Sequence, residues 1–216
     1  MGVFPWVGGL CGAAAFVLMV GCGGSPGASQ PAGLGAAEDS TPAGASATPD
    51  PDPERWAPLR RPLTALTPGS GDTCERSTVH PIPGSEMKGL GEGPVYVLGS
   101  AGTLQYGTYT TGDWVTWGAQ KFGLLVSPEF KGEALVRGAS VDGRHAVRFG
   151  DGPSPPEELN LTLEGNATTG GQPRGSRLFM TYLRLEAPGC YFLQIDAIDF
   201  SQTITFEAEF AGMMSR

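Results

Sequence analysis

Gln202-Thr203-Ile204-Thr205-Phe206-Glu207-Ala208-Glu209-Phe210 alternates polar and apolar side chains without a break. A period of two puts Ile204, Phe206, Ala208 and Phe210 on one face, and Thr203, Thr205, Glu207 and Glu209 on the other. That is how a one-sided antiparallel strand reads. The same period runs through Glu158 to Leu163, with Leu159, Leu161 and Leu163 inward, and through Arg144 to Phe149, with His145, Val147 and Phe149 on one face. Further strands are expected at Val95–Leu98, Trp114–Trp117, Phe122–Val126, Ala134–Val136, Arg177–Leu185 and Cys190–Ile195. Tyr191, Phe192, Leu193 and Ile195 are apolar on both faces, which suits a central strand. Turn residues separate these runs, and Asp142-Gly143 between apolar stretches is a hairpin cue. Many short strands without a helical window imply an all-β fold, a single antiparallel β-sandwich or a barrel, of which we take the sandwich. An edge strand holding Lys121 or Lys131 would guard against edge pairing.

Composition agrees. The chain has 34 Gly and 19 Pro, and its charged share of 17% lies below the ~25% of ordinary soluble domains. This favours turns and short strands. From Gly23 to about Pro58 the sequence is Gly, Ser, Ala, Pro, Thr and Asp, with Leu34 almost alone among aliphatic residues. Such a stretch buries too little apolar surface to offset ordering entropy. We read 22–58 as a disordered tether, with a reach of about 30–35 Å on flexible-coil scaling. Residues 59–73 are transitional, Arg60-Arg61-Pro62-Leu63 being able to pack on the domain or stay loose. The sandwich is expected over 74–211.

The first residues place the protein. An uncharged run from Val3 to Val20 stops at Val20-Gly21-Cys22 and is followed by Gly23-Gly24-Ser25-Pro26. Small or aliphatic residues before a cysteine resemble the lipobox of a bacterial lipoprotein signal peptide, here over 1–21. The resemblance implies acyl chains, palmitate among them, on Cys22, and a cell-membrane anchor facing away from the cytoplasm. The competing reading is a transmembrane helix, which Pro5 and the repeated glycines make a poor span. Cys11 follows Leu10 and is a weaker cleavage candidate. The run has no Lys or Arg ahead of it, unlike most export signals, which leaves open a start upstream of Met1.

The net charge of -8 excludes ordinary nucleic-acid binding, because phosphate contacts need Lys and Arg, and only Lys88, Lys121 and Lys131 supply lysine. The four cysteines are Cys11, Cys22, Cys74 and Cys190. Removal of the signal peptide and lipidation of Cys22 leave Cys74 and Cys190, an even pair expected to be bonded in an oxidising compartment. Closing so long a loop is worth about 4–5 kcal/mol on the chain-entropy model.

Sets that could carry chemistry are thin. His80 lies in a loop and His145 on a strand face. Neither has a nucleophile in a recognisable motif, and no Gly-x-Ser-x-Gly elbow or phosphate loop occurs. Glu157-Glu158 and Asp196 with Asp199 offer carboxylates for a hydrolase or a calcium ion. Carboxylates outside a recognised loop are more often solvated turn residues. Neither a metal nor a cofactor is expected. Tyr106, Tyr109, Trp114 and Trp117 form the candidate binding segment, since aromatics with polar tips stack on sugars or anchor protein partners. Trp114 and Trp117 differ by three, so on a regular strand they face opposite ways.

Leu185-Glu186-Ala187-Pro188-Gly189-Cys190-Tyr191-Phe192 with Phe200-Ser201 and Ile204-Thr205-Phe206 resembles the C-terminal signature of uncharacterised bacterial secreted lipoproteins. Val136-Arg137-Gly138 and Val147-Arg148-Phe149 are similar to their middle segment. The resemblance implies an all-β domain and no catalytic residues. Cys190-Tyr191, a tyrosine beside a core-strand cysteine, also resembles immunoglobulin-like domains, which implies an immunoglobulin-like sandwich. The expected function is a membrane-anchored, non-enzymatic binding or envelope-structural module with a protein or carbohydrate partner. A carbohydrate-binding envelope domain is the alternative, and a hydrolase the third reading.

Overall fold

The computed structural model describes residues 52–64, 73–109 and 117–214, with Tyr109 and Met214 described by their backbone alone. The expected signal peptide, Cys22, the tether as far as residue 51, and Trp114 lie outside these residues.

The fold is all-β and sandwich-like. Among the described residues eleven strands follow one short α-helix and a 3-10 turn (Ala57–Leu59): α1 (Pro53–Trp56), then β1 (Val79–Pro81), β2 (Lys88–Leu90), β3 (Val95–Leu98), β4 (Thr103–Tyr109), β5 (Gly118–Val126), β6 (Ala134–Ser140), β7 (Arg148–Phe149), β8 (Leu159–Leu161), β9 (Arg177–Leu185), β10 (Gly189–Ala197) and β11 (Ser201–Met214). One half of the sheet runs β1-β2-β3-β5-β9-β7, and the other runs β4-β11-β10-β6-β8. A single residue pair, Gly107 with Ala119, joins β4 to β5 and so joins the halves. All strand pairs are antiparallel except β4 with β11, which run parallel. Parallel neighbours need a long connection, and here nearly the whole domain lies between them.

The expected periodicity builds the core. Tyr191, Leu193 and Ile195 of β10, Ile204, Phe206 and Ala208 of β11, Phe122, Leu124 and Val126 of β5, and Phe179, Leu183 and Leu185 of β9 meet in one cluster drawn from both halves. β9 covers the expected span, and β10 lies between β6 and β11 as a central strand should. The Asp142-Gly143 turn forms, with Ser140 accepting from the Gly143 amide and Ala139 bridged to Ala146.

Several expectations are corrected. Leu163 and Phe210 are 58% and 49% exposed, because both pass the rim of the core. The strand expected from Arg144 starts only at Arg148, since Ala146 still belongs to the hairpin with β6. Lys121 sits on β5, which is paired on both sides, and Lys131 lies between β5 and β6, so neither guards an edge. The tether was expected to run to residue 58. Instead residues 52–58 are ordered into a helical turn: Asp52 caps α1 by accepting from the Arg55 amide, and Pro53 suits the first helical position. Trp56 and Leu59 then bury against Leu135 of β6.

Cys74 is bonded to Cys190 across 116 residues, as the cysteine count required. The segment after Cys74 lies along β11, where Ser77 donates to the Thr205 carbonyl. The bond therefore fixes this N-terminal edge to the start of β10.

Beside it, Tyr191 is fully buried, stacks on Phe206 and donates to the Ala187 carbonyl at 2.7 Å. Burial pushes its phenol up to about 12. The folded state therefore holds this proton more tightly than the unfolded chain, which releases it near pH 10. The sign follows: the stabilisation is whole below pH 10 and is lost as pH rises from 10 towards 12. Urea midpoints should fall across that window by the equivalent of roughly 2 kcal/mol, and Tyr191→Phe should flatten the fall. An equally steep loss in Tyr191→Phe would assign it to other groups.

Candidate functional site

β5 decides where a cleft can open. Along one edge it pairs with β9 for its full length. Along the other it meets β4 at Ala119, then β3 from Gly123 to Val126. β4 and β3 thus diverge from one strand edge, and a cleft of about 460 Å³ lies at the fork. Its walls are residues 98–100 and 103–105 on one side and 120–123 on the other, with Met87, Thr169, Leu178 and Met180.

Two glycines permit this geometry. At Gly118 a Cβ would stand 2.4 Å from the Tyr106 ring, so only glycine lets β5 cross that ring. At Gly123 a Cβ would stand 2.9 Å from the Met180 sulfur, inside the cleft. The floor is apolar: Leu98, Met87 and Met180 pack on Tyr96, Leu125 and Leu178 in a second cluster outside the main core. Met180 is held from behind by Asn166, whose Oδ1 accepts from the Met180 amide at 2.7 Å and whose Nδ2 donates to its carbonyl. That pairing gives Asn166 a structural role. The cleft's polar groups are amides and hydroxyls, with Lys121 as its one titratable side chain among the described residues.

The aromatic segment does not converge on this cleft. Tyr106 is 2% exposed and points into the core, edge-on to Phe210. Burial pushes its phenol up. Trp117 is partly buried, with the Arg148 guanidinium 5.0 Å from its ring centroid. The backbone of Tyr109 pairs with Met214, and Trp114 lies outside the described residues. Tyr106 is thus a core residue, and one face of Trp117 is already taken.

The other candidate groups have structural partners. Glu157 pairs with Arg148. Glu158 takes a two-pronged contact from Arg60 at 2.8 and 3.0 Å, which raises the Arg60 guanidinium further. His145 Nδ1 lies 3.2 Å from Glu186 on the surface. Asp142 is lowered, chiefly by the Ser140 hydroxyl and then by Arg144, and braces its own hairpin. Asp196 was expected as a solvated turn carboxylate. It has no exposed surface and accepts from Arg137, Gln194 and Ser201. Its phase carries the signal that was missed: Asp196 falls with Phe192 and Gln194 on the second buried face of β10. The cleft itself escaped sequence reasoning, because it depends on which strand β5 leaves and joins.

These placements separate stability from binding. Tyr106→Ala should cost on the order of 3–5 kcal/mol, as emptied aromatic core sites do. Met180→Ala should cost no more than about 2 kcal/mol, being only partly buried. Urea unfolding of both variants checks the order, and a larger loss at Met180 would make the cleft floor part of the core.

No protein-family model matches the chain, and no curated protein matches it. Among solved structures it has a likeness to the CooA pilin subunit from enterotoxigenic Escherichia coli, at 14% identity and a TM-score of 0.27, over 54% of this chain and 97% of that one. A score at that level carries no conclusion about fold kinship or function.

Proposed function

We propose that the protein is an exported binding module, anchored by lipid on Cys22 and carried clear of the membrane on the tether that follows. It recognises an apolar feature of an envelope protein and catalyses no reaction. The cleft at the β4–β5 fork carries this reading. An apolar floor ringed by amides and hydroxyls is the composition of a recognition site, and Lys121 alone lacks the acid–base pairing that hydrolysis needs. The Cys74–Cys190 bond supports export, since such bonds persist in oxidising compartments. A carbohydrate platform draws less support, because Tyr106 is in the core and Trp117 is stacked against Arg148.

Two measurements test the halves separately. Cys22→Ala should shift the protein from the membrane fraction to the soluble exported fraction, since paired acyl chains hold a protein that a single chain holds only marginally. Unchanged fractionation would end the lipid-anchor reading. For binding, a photo-crosslinking residue at position 180 should capture an envelope partner in intact cells. The same residue at position 188, exposed in the turn between β9 and β10 and outside the cleft lining, should not. Equal labelling from both positions would mean that the cleft has no special role.

A further inference from the structure

The outer face of β10 holds an unusual pair. Gln194 and Asp196 point away from the main core yet are 1% and 0% exposed. What covers them is the chain's own residues 61–64. Gln194 donates from Nε2 to the Pro62 carbonyl at 3.1 Å and accepts at Oε1 from the Thr64 amide at 2.8 Å. One side-chain amide thus reads a carbonyl and an amide two residues apart, on one edge of an extended segment. Arg61 inserts its guanidinium into the β10–β11 turn, donating to the carbonyls of Phe200, Ala197 and Ile198 at 2.8, 2.7 and 3.1 Å. The Asp196 carboxylate lies 3.9 Å away. Arg137 closes the set, binding Asp196 at 2.8 Å and the Arg61 carbonyl.

We propose that this face is a peptide-recognition site for an extended, arginine-bearing segment, filled in cis by residues 61–64 and able to take the same segment from a second copy of the chain. Three features point this way. The floor beneath residues 61–64 is polar, so uncovering it returns Gln194, Asp196 and Arg137 to water. Recognition falls on the backbone, while the Leu63 side chain leaves the site, 38% exposed. The one side chain read in detail is Arg61, whose planar fork reaches the Phe200 carbonyl from one nitrogen and those of Ala197 and Ile198 from the other, a spread that a single ammonium nitrogen does not match. Pro62 fixes its own φ and drives Arg61 toward the extended region, so the segment arrives preorganised. Trp56 and Leu59 on Leu135 add an apolar clasp that favours the cis arrangement.

The test uses the chain from residue 22 onward with Cys22→Ser, and a fluorescein-labelled peptide of residues 52–64, which is the second copy's segment in isolation. In the wild type the cis segment competes with the peptide. A chain with Trp56→Ala and Arg61→Ala loosens it and should bind the peptide at least tenfold more tightly by anisotropy. Adding Gln194→Ala, or changing the peptide's arginine by Arg61→Lys, should lose at least tenfold. A loosened chain that melts cooperatively yet binds no peptide would overturn the proposal, as would equal affinity for the Arg61→Lys peptide. Should the loosened chain fail to fold, hydrogen exchange on the wild type decides. The Thr64 amide should exchange at least tenfold faster than the amides of Leu193 and Ile195, and equal protection would overturn the proposal.

Discussion

The Asp196 carboxylate is the point on which the chain's order outside the main core depends. It sits near the end of β10, with no exposed surface, where β6, the turn into β11 and the N-terminal segment meet. Taking a carboxylate out of water costs several kcal/mol, and an ion pair offsets this only when the remaining lone pairs are also used. Here they are: one oxygen accepts from Arg137 and Gln194, and the other from Ser201. Such a network adds little net stability over an apolar replacement, but removing one partner typically costs about 3–5 kcal/mol. Its effect is selective. Only one register of β10 against β6 places Arg137 beside it, and Arg137 lies opposite Gln194 in that pairing. Only a guanidinium from the N-terminal side completes the turn that follows.

The same economy governs the other half. β5 serves three neighbours, so its two edges cannot be treated alike along their length. Where it leaves β4 for β3 the sheet must open, and the opening is kept by glycine rather than filled. Gly118 lets the Tyr106 ring pass under the strand, and Gly123 leaves room for the Met180 side chain. The apolar surface thus left outside the main core is small, close to a continuous polar rim, and distinct from the cluster that holds the halves together.

The sequence made the long strands legible because period two is a local signal. Residues 202–210 carry it over enough positions to fix both type and face. It misleads at Leu163 and Phe210, since alternation says which way a side chain points and not whether anything is there to cover it. β1 and β2 are only three residues each and contain Pro81 and Gly89, so no period can be read from them. The Pro-rich composition around residues 51–58 concealed α1, whose order comes from Trp56 burying on Leu135, a contact across 79 positions that no local pattern reveals. The cysteine pair was legible because counting needs no geometry. The cleft and the Asp196 network were not, because each joins strands distant in sequence, and the aromatic segment drew attention to Tyr106 by residue type although its position in β4 turns it inward.

The two ends of the N-terminal region are held by different chemistry, and this shapes how it can move. Residues 53–64 are held by side-chain contacts: Trp56 on Leu135, Arg60 on Glu158, and Arg61 in the β10–β11 turn. None adds a strand to the sheet, so their loss leaves every ladder intact. Further along, the chain is fixed covalently at Cys74, beside β11 and bonded to the start of β10. The bond, with Ser77 donating to the Thr205 carbonyl and the Gly91 amide donating to the Thr78 carbonyl, holds residues 74–78. Release of the segment therefore stops at the disulfide. The sandwich and the β4–β5 cleft stay assembled, while the direction in which the preceding chain leaves the domain is set by whether Arg61 occupies its own turn or another copy's.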